Sequence, residues 1–421
     1  MFALVDCNNF YASCERVFNP SLQHQPICIL SNNDGCVIAR SNEAKALGIP
    51  MGAPAFKFQK MFQANNVHVF SSNYALYGDM SARVMNLLSE FTPEIEIYSI
   101  DESFLKFTGF ERFFDLHQHA QKMKKQVEQG TGIPISIGIA PTKALAKVAN
   151  RIAKKFPEHT HGIYIMHTEK QRLKALKWLK IEDVWGIGRQ HSIRLQKQQI
   201  LTAYDFTQLN DYWVRKQMSV VGLRLKKELE GKPTLDLEEV ANKKAIATTR
   251  SFDYQYEDYH YIKERISSFA VSCGEKMRKQ KSYCNLIYVF LKTNKFQANQ
   301  PQYGRGISVK LPHPTNSSID LMKHAVQGLK KIYKKGYAYK KAGVMVMGLI
   351  PEDTRQLAFF TEENPKHHQL MKKIDELNKK VGRYKIKFAA QDLKKTWKMR
   401  QEHLSQAYTT SLQQIIEVKA S

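Results

Sequence analysis

The chain has 421 residues, with 64 Lys plus Arg against 39 Asp plus Glu, a formal net charge of +25 and a pI near 9.6. Its 43% hydrophobic and 11% aromatic content supports packed cores and excludes global disorder, and the length allows roughly two to four domains. A cationic surplus of this size points to a polyanionic partner, with nucleic acid ahead of a membrane, because no run of about eighteen apolar residues is present to span one.

The N-terminal run "MFALVDCNNF" lacks a basic stretch followed by a long apolar one; it reads as a strand, Phe2 to Val5, ending at Asp6 rather than as a secretory signal. A mixed region extends to about Asn73, with helix-like "EAKALG" and turns at Gly48, Pro50, Gly52 and Pro54. Residues 74–91 carry apolar side chains at helical spacing. The run "EIEIYSIDESFLKF" reads as two strands meeting near Asp101. A helix over about 115–129, the strand "IPISIGIA" and a helix from Lys143 to about Lys155 follow. This alternation predicts an α+β domain in which the first strand and the Asp101 region lie side by side.

From about Thr168 to Gly231 the pattern is helical and short-segmented, and residues 231–243 read as an extended linker. Next come a strand (Ala245–Arg250), a helix (258–280), two strands (Cys284–Lys292 and Gly306–Leu311), a helix (318–334) and a strand (Ala338–Met347). That is a β-α-β-β-α-β unit. Residues 351–421 read as a polar, basic tail of short helices. The cysteines form no CxxC pair and the histidines lack metal-ligand spacing. Reduced thiols in a cytosolic protein, without a zinc site, are expected.

Three acids carry the chemistry. Asp6 ends the first strand, and Asp101 and Glu102 sit where the later strand pair turns. Successive strand side chains face opposite ways, so both acids serve one site only if the backbone turns there. Taken singly, each acid is better explained by a loop cap or a lysine partner. Three together on a strongly cationic chain favour a Mg²⁺ site, since Mg²⁺ prefers oxygen ligands and two such ions suit in-line phosphoryl transfer. Without metal, at least one of the three carboxyl pKa values should be raised.

Other motifs surround this set. "NNFYASCE" puts Phe10 and Tyr11 beside the acids, as a core pair or as a platform for a sugar. Arg40 and Lys45, and Lys143 with Lys147 at i, i+4 on one helix, suit a triphosphate as well as solvent. "VWGIGRQHSIRLQKQQI" presents Gly186 and Gly188 with Arg189 and Arg194. A Gly-Ile-Gly turn between short helices exposes N–H groups that bind a DNA phosphate without reading sequence. A second such hairpin near Val221-Gly222-Leu223 is degenerate. "RQLAFF", residues 355–360, is an apolar peptide in a polar tail, either a docking segment or a small strand.

Together "DCNNFYASCE", "LSNNDGCVIARSNEAKALG", "FSSNYALYGDMS", "EIYSIDES", "GIAPTKALAKVAN", "DVWGIGR" and "QLAFF" resemble the Y-family translesion DNA polymerases over essentially the whole chain. The resemblance implies a right-hand, multidomain α+β fold. Residues 1–10 and 72–165 would be the palm, 11–71 small fingers, 166–231 a helix-hairpin-helix thumb and 232–243 a linker. Residues 244–350 would be the little finger and 351–421 a clamp- and partner-binding tail. It implies that Asp6, Asp101 and Glu102, with the Cys7 carbonyl, hold two Mg²⁺ ions, that Tyr11 is the steric gate against a ribose 2′-OH and that Phe10 stacks beside it. Lys45 and Lys147 would contact the incoming triphosphate. Where family members compared carry Tyr-Glu-Ala-Arg, this chain has Asn42-Glu43-Ala44-Lys45; a lysine supplies charge without the bidentate fork of arginine. Gly186, Gly188, Arg189, Arg250, Lys292, Arg305 and Lys310 would track DNA backbone. Gln356, Leu357, Phe359 and Phe360 would dock on the β sliding clamp.

The implied activity is template-directed addition of dNTPs to a primer 3′-OH, in SOS damage tolerance and mutagenesis. The implied partners are primer-template DNA, a UmuD′-like subunit and the RecA filament, in the cytoplasm of a bacterium and on the nucleoid when active. The short fingers leave little room for a closing helix, and no further acidic cluster suggests a proofreading exonuclease, so low fidelity is expected. Two rivals remain. A non-catalytic helix-hairpin-helix repair factor leaves the three acids unexplained, and a palm-fold nucleotide cyclase leaves the thumb, the little finger and the clamp peptide unexplained.

Overall fold

The computed structural model describes residues 1–239, 241–297, 299–354, 366–382, 384–393 and 399–416. The chain divides into two compact units, Met1–Glu239 with Gln401–Ser421, and Val240–Arg400.

In the first unit, the apolar run FALVDC makes β1 (Phe2–Cys7), a central strand buried along its whole length because a core packs on each of its faces. The strands β2 (Ile27–Leu30), β3 (Val37–Arg40) and β4 (His68–Ser71) form a small sheet of order β3-β2-β4. The strands β5 (Ile95–Ile97), β6 (Glu102–Lys106), β7 (Ile135–Ala140) and β8 (Ile163–Ile165) join β1 in a sheet of order β5-β6-β1-β7-β8. Alternation along β1 sends Ala3, Val5 and Cys7 into a core with Leu76, Tyr77, Met80 and Met123. Phe2 and Leu4 enter the opposite core with Phe104, Ala144, Leu145 and Val148. Asp6 follows Leu4 onto that second face.

The helix covering that face spans Lys143–Lys155, as the sequence predicts. Thr142 caps it by accepting the Leu145 N–H at 3.3 Å. The helix lies so close to β7 that a Cβ on Gly138 would sit 2.1 Å from the Asn150 backbone nitrogen. Only glycine permits that approach. Asn150 closes it, its Nδ2 donating to the carbonyls of Leu4 at 3.2 Å and Ser136 at 2.7 Å. The helices predicted over 74–91 and 115–129 span Tyr74–Ser89 and Leu116–Thr131.

Residues 168–231 form helices Glu169–Trp178, Arg189–Gln196, Ala203–Thr207 and Asp211–Leu229, the last broken at Ser219, whose φ is 61°. The second, degenerate hairpin is thus a kink within one helix. The segment predicted as a linker is extended but tied down over 232–239. The fully buried Glu228 accepts the Leu235 N–H at 2.9 Å, and Glu96 accepts the Glu238 N–H at 2.7 Å.

The second unit contains β9 (Ala245–Tyr256), helix Tyr259–Lys279, β10 (Ser282–Thr293), β11 (Gly304–Thr315), helix Ser318–Ile332 and β12 (Tyr339–Pro351). The order is β11-β10-β12-β9, with antiparallel neighbours. The strands run longer than predicted, because ladder pairing carries polar ends such as Asp253–Tyr256 that apolar patterning leaves out. Among the described residues the tail holds two single 3₁₀ turns, Glu352–Thr354 and Leu412–Gln414, and one element longer than the short helices expected. Lys366–Val381 is a single 16-residue helix, anchored by Arg278 gripping Asp375 at 2.7 and 2.8 Å, and residues from 401 onward belong to the first unit. Gln356, Leu357, Phe359 and Phe360 lie outside the described residues. Among the described residues, no helix is long and apolar enough to cross a membrane.

Candidate active site

Asp6 and Glu102 are register partners on neighbouring antiparallel strands, so the acids from two distant segments face each other on the side covered by the Lys143–Lys155 helix. The turn that permits this is built by Ser99. Its N–H donates to the Glu102 carbonyl at 3.0 Å, and its hydroxyl accepts the N–H groups of Glu102 at 3.0 Å and Asp101 at 3.3 Å. The strand begins at Glu102, which leaves Asp101 in the turn. The Cys7 N–H donates to the Asp101 carbonyl at 2.8 Å, which closes the junction with β1. The Asp101 carboxylate itself takes the Ser99 hydroxyl at 2.5 Å.

Lysines hold the other two acids. Lys147 Nζ bridges both Glu102 oxygens at 2.8 Å each and lies 4.4 Å from the Tyr98 ring centre. Trp185 Nε1, donating to the Tyr98 hydroxyl at 3.0 Å, fixes that ring. Lys154 pairs with Asp6. Asp6 is 8% exposed, and burial in the first place, then Glu102, pushes its carboxyl up from 3.8 to about 7 against the pull of Lys154. A raised pKa among the three acids is the expected signature. Among the described residues no three His, Cys, Asp or Glu side chains are gathered to hold a metal ion as they stand. The donor chemistry nevertheless fits a hard cation. The candidate ligands are all oxygens, and a buried Asp6 carboxylate requires positive charge beyond what one half-exposed lysine supplies.

The four lysines of this region divide by role. Lys143, expected to share the face of Lys147 toward a phosphate, is 2% exposed. It pairs with Glu96 at 2.6 Å and lies 4.6 Å from the Phe104 ring centre. Lys147, expected on the triphosphate, is committed to Glu102. Lys45 does reach the site. It donates to Asn9 and, at 3.4 Å, to Asn42, which also takes the Asn9 amide at 3.0 Å. Its pKa is lowered, by burial first and then by the nearby charges of Arg40 and Lys154, against the pull of Asp6 and Glu43. Lys154 is the residue that sequence reasoning missed. Its signal was the spacing Lys143, Lys147, Asn150, Lys154, which continues one helical stripe for another two turns.

The aromatics separate likewise. Phe10 is buried in the core, tilted 48° to Tyr11, and offers no face to a ligand. Tyr11 is half-buried and stacks on Tyr77 with centroids 4.4 Å apart. Burial pushes its phenol up to about 12.

In the helical segment, Gly186 has φ +85° and meets the expectation of a glycine-dependent turn. Gly188 does not. Its φ is −77°, and it serves as the N-cap of Arg189–Gln196 with open space where a Cβ would go. The element before the turn is a single 3₁₀ turn, Ile181–Asp183, rather than an α-helix.

The strand cations also split. Lys292 and Lys310 share a face with Tyr288 and Phe290, away from the helices. Arg250 pairs with Ala342, and Arg305 with Leu291, so both arginines point to the helix-covered face. Residue parity, not charge, decides which cations line the open sheet.

The acid pair on a five-stranded sheet, the helical segment and the β-α-β-β-α-β unit define a Y-family DNA polymerase. A solved Y-family polymerase chimera of Dbh aligns with TM-score 0.67 at 22% identity, covering 83% of this chain and 100% of its own. Within that class the chain belongs to the impB/mucB/samB family. Residues 5–151 match this family, 243–359 its C-terminal domain and 368–418 a domain of unknown function, DUF4113. The chain is 42% identical to the protein UmuC of Salmonella typhimurium over 100% of both chains, and 24% identical to DNA polymerase IV of Bacillus velezensis over 92% of each. It is a DNA-directed DNA polymerase of the translesion type. Neither the non-catalytic repair factor nor the nucleotide cyclase is favoured by these relationships.

Proposed function

We propose that the enzyme extends a primer across damaged template at the Asp6–Glu102 junction, with Asp6, Asp101, Glu102 and the Cys7 carbonyl as ligands of two Mg²⁺ ions. The ions, when bound, would lower the pKa of the attacking hydroxyl and neutralise charge on the leaving oxygen. The reaction joins the primer 3′-oxygen to the α-phosphorus of a dNTP, breaks the bond to the β-phosphate oxygen and releases pyrophosphate.

The chain's own groups bind and orient. Arg40, Lys45 and Lys154 crowd where a triphosphate needs cations, and we place it there in preference to Lys147. Lys147 orients Glu102. Tyr11, half-buried and stacked on Tyr77, is assigned as the ring that excludes a ribose 2′-OH. Gly186 and the exposed N-terminus at Arg189 suit a DNA phosphate, and Lys292 with Lys310 suit the backbone on the open sheet face. We keep the palm, fingers, thumb and little-finger boundaries that the resemblance implies. Docking on the sliding clamp through Gln356–Phe360, and engagement of a UmuD′-like subunit and RecA, rest on the resemblance alone.

The observation that carries this reading is the pairing of Asp6 directly opposite Glu102. Primer extension over an abasic site tests it. Asp101→Asn and Glu102→Ala should each abolish extension in a folded protein, and a variant that still extends would refute the assignment.

A further inference from the structure

Residues 401–408 do not hang free. They run along the seam where helix Phe10–Phe18, β4 and helix Tyr74–Ser89 meet. The Ser71 N–H donates to the His403 carbonyl at 2.9 Å and the His403 N–H to the Ser71 hydroxyl at 3.0 Å. Gln401 donates to the Ser72 carbonyl at 3.0 Å. Asn73 Nδ2 lies 3.2 Å from the Ser405 carbonyl, 3.0 Å from its hydroxyl and 3.1 Å from the Gln406 carbonyl. Tyr408 stacks on Phe18 with centroids 4.7 Å apart and planes 11° apart.

One contact leads inward. The Ser405 hydroxyl donates to Glu15 Oε1 at 3.0 Å, and the same oxygen takes the Tyr77 hydroxyl at 2.6 Å. Glu15 is 2% exposed and Tyr77 fully buried, and Tyr77 is the ring on which Tyr11 stacks. Burial raises the Glu15 pKa and these two hydroxyls oppose that rise, so both contacts bear on the same buried carboxyl. Removing either donor changes how Glu15 holds the other.

We propose that residues 401–408 are a strap that positions the sugar gate, acting through Ser405, Glu15 and Tyr77 on Tyr11. This rests on the reading of Tyr11 as the ribose gate, and it gives the end of the DUF4113 region a role in substrate selection. Ser405, Glu15 and Tyr77 are positioning residues; only Tyr11 meets the nucleotide. A buried stack transmits a small displacement because close-packed rings leave no slack to absorb it, and gating a single oxygen atom is sensitive to such displacements.

The test is the ratio of kcat/KM for a dNTP to that for its ribonucleotide, measured with the full chain on a primer-template. Ser405→Ala removes the inward contact. Asn73→Asp keeps the cap on the Leu76 N–H but replaces the donor facing the strap with an acceptor. Each should lower the ratio by about 3- to 10-fold, the size of one net hydrogen bond, with dNTP turnover nearly unchanged. Ser405→Thr, which keeps the hydroxyl, should restore the ratio. A strap that only stabilises the fold would lower the melting midpoint and leave the ratio intact, and that result overturns the proposal. In parallel, Tyr11→Ala should collapse the ratio. If it does while the strap variants keep the parental ratio, the strap proposal alone fails; if Tyr11→Ala changes nothing, the gate reading fails and takes the strap with it.

Discussion

Lys143 offers the sharpest test of the site's organisation. By sequence spacing it is a phosphate-facing lysine. By structure it is the buried partner of Glu96, with a further bond to the Asp236 carbonyl at 3.2 Å. Lys143→Met keeps most of the volume and strands the Glu96 carboxylate, 8% exposed, with only the Glu238 N–H. Breaking one side of a buried ion pair costs about 3–5 kcal/mol. At about 2–4 °C per kcal/mol for a unit of this size, the midpoint of the first unit should fall by roughly 6–20 °C. Adding Glu96→Gln removes the stranded charge and should recover more than half of the loss. The assays are thermal melting followed by circular dichroism and steady-state dNTP kinetics well below the midpoint. The structural role predicts a lowered midpoint with KM for dNTP unchanged. An unchanged midpoint with KM raised tenfold would refute it and return Lys143 to the triphosphate.

Lys154→Ala should raise KM for dNTP by about tenfold or more, since it removes one of the three cations proposed for the triphosphate, whereas Lys147→Ala should act mainly on kcat through a misplaced Glu102. In chelator-treated protein the Asp6 carboxyl, raised from 3.8 to about 7, favours the protonated native state. Its contribution is complete below pH 3.8 and is lost as pH rises through 7, up to about 4 kcal/mol. Denaturant titrations should therefore show stability falling between about pH 4 and 7 and levelling above that, and Asp6→Asn should flatten that slope. For DNA binding, replacing Lys292 and Lys310 with Ala should make the log affinity against log salt plot shallower by about one unit per cation in duplex contact. Arg250→Ala and Arg305→Ala should leave the slope unchanged, because those side chains face the helices.

Much of the fold was legible locally. The continuous apolar run of β1, the helical spacing over 74–91 and 143–155 and the strand-helix order of the second unit each follow from patterning that burial enforces. The three acids were legible as well, because their types and positions at strand ends are unusual in so basic a chain. Their partners were not. Lys143, Lys147 and Lys154 lie on one stripe of one helix. Nothing in the stripe says which lysine meets Glu96, which Glu102 and which Asp6. The close approach at Gly138 and the Asn150 bonds decide that by setting how the helix sits over the sheet. Arg250 and Lys292 read alike as strand cations until the ladder register assigns them to opposite faces. Gly186 and Gly188 read alike until φ separates them.

The sequence by itself determined the class of chemistry and the elements that carry it, since periodicity and residue type act over a few neighbours. Only the tertiary structure decided which acid faces which, which lysine pairs with which acid and where residues 401–408 run. Those facts depend on contacts between segments such as Glu15 and Ser405, 390 positions apart. Chain packing, rather than local preference, brings such residues within hydrogen-bonding distance.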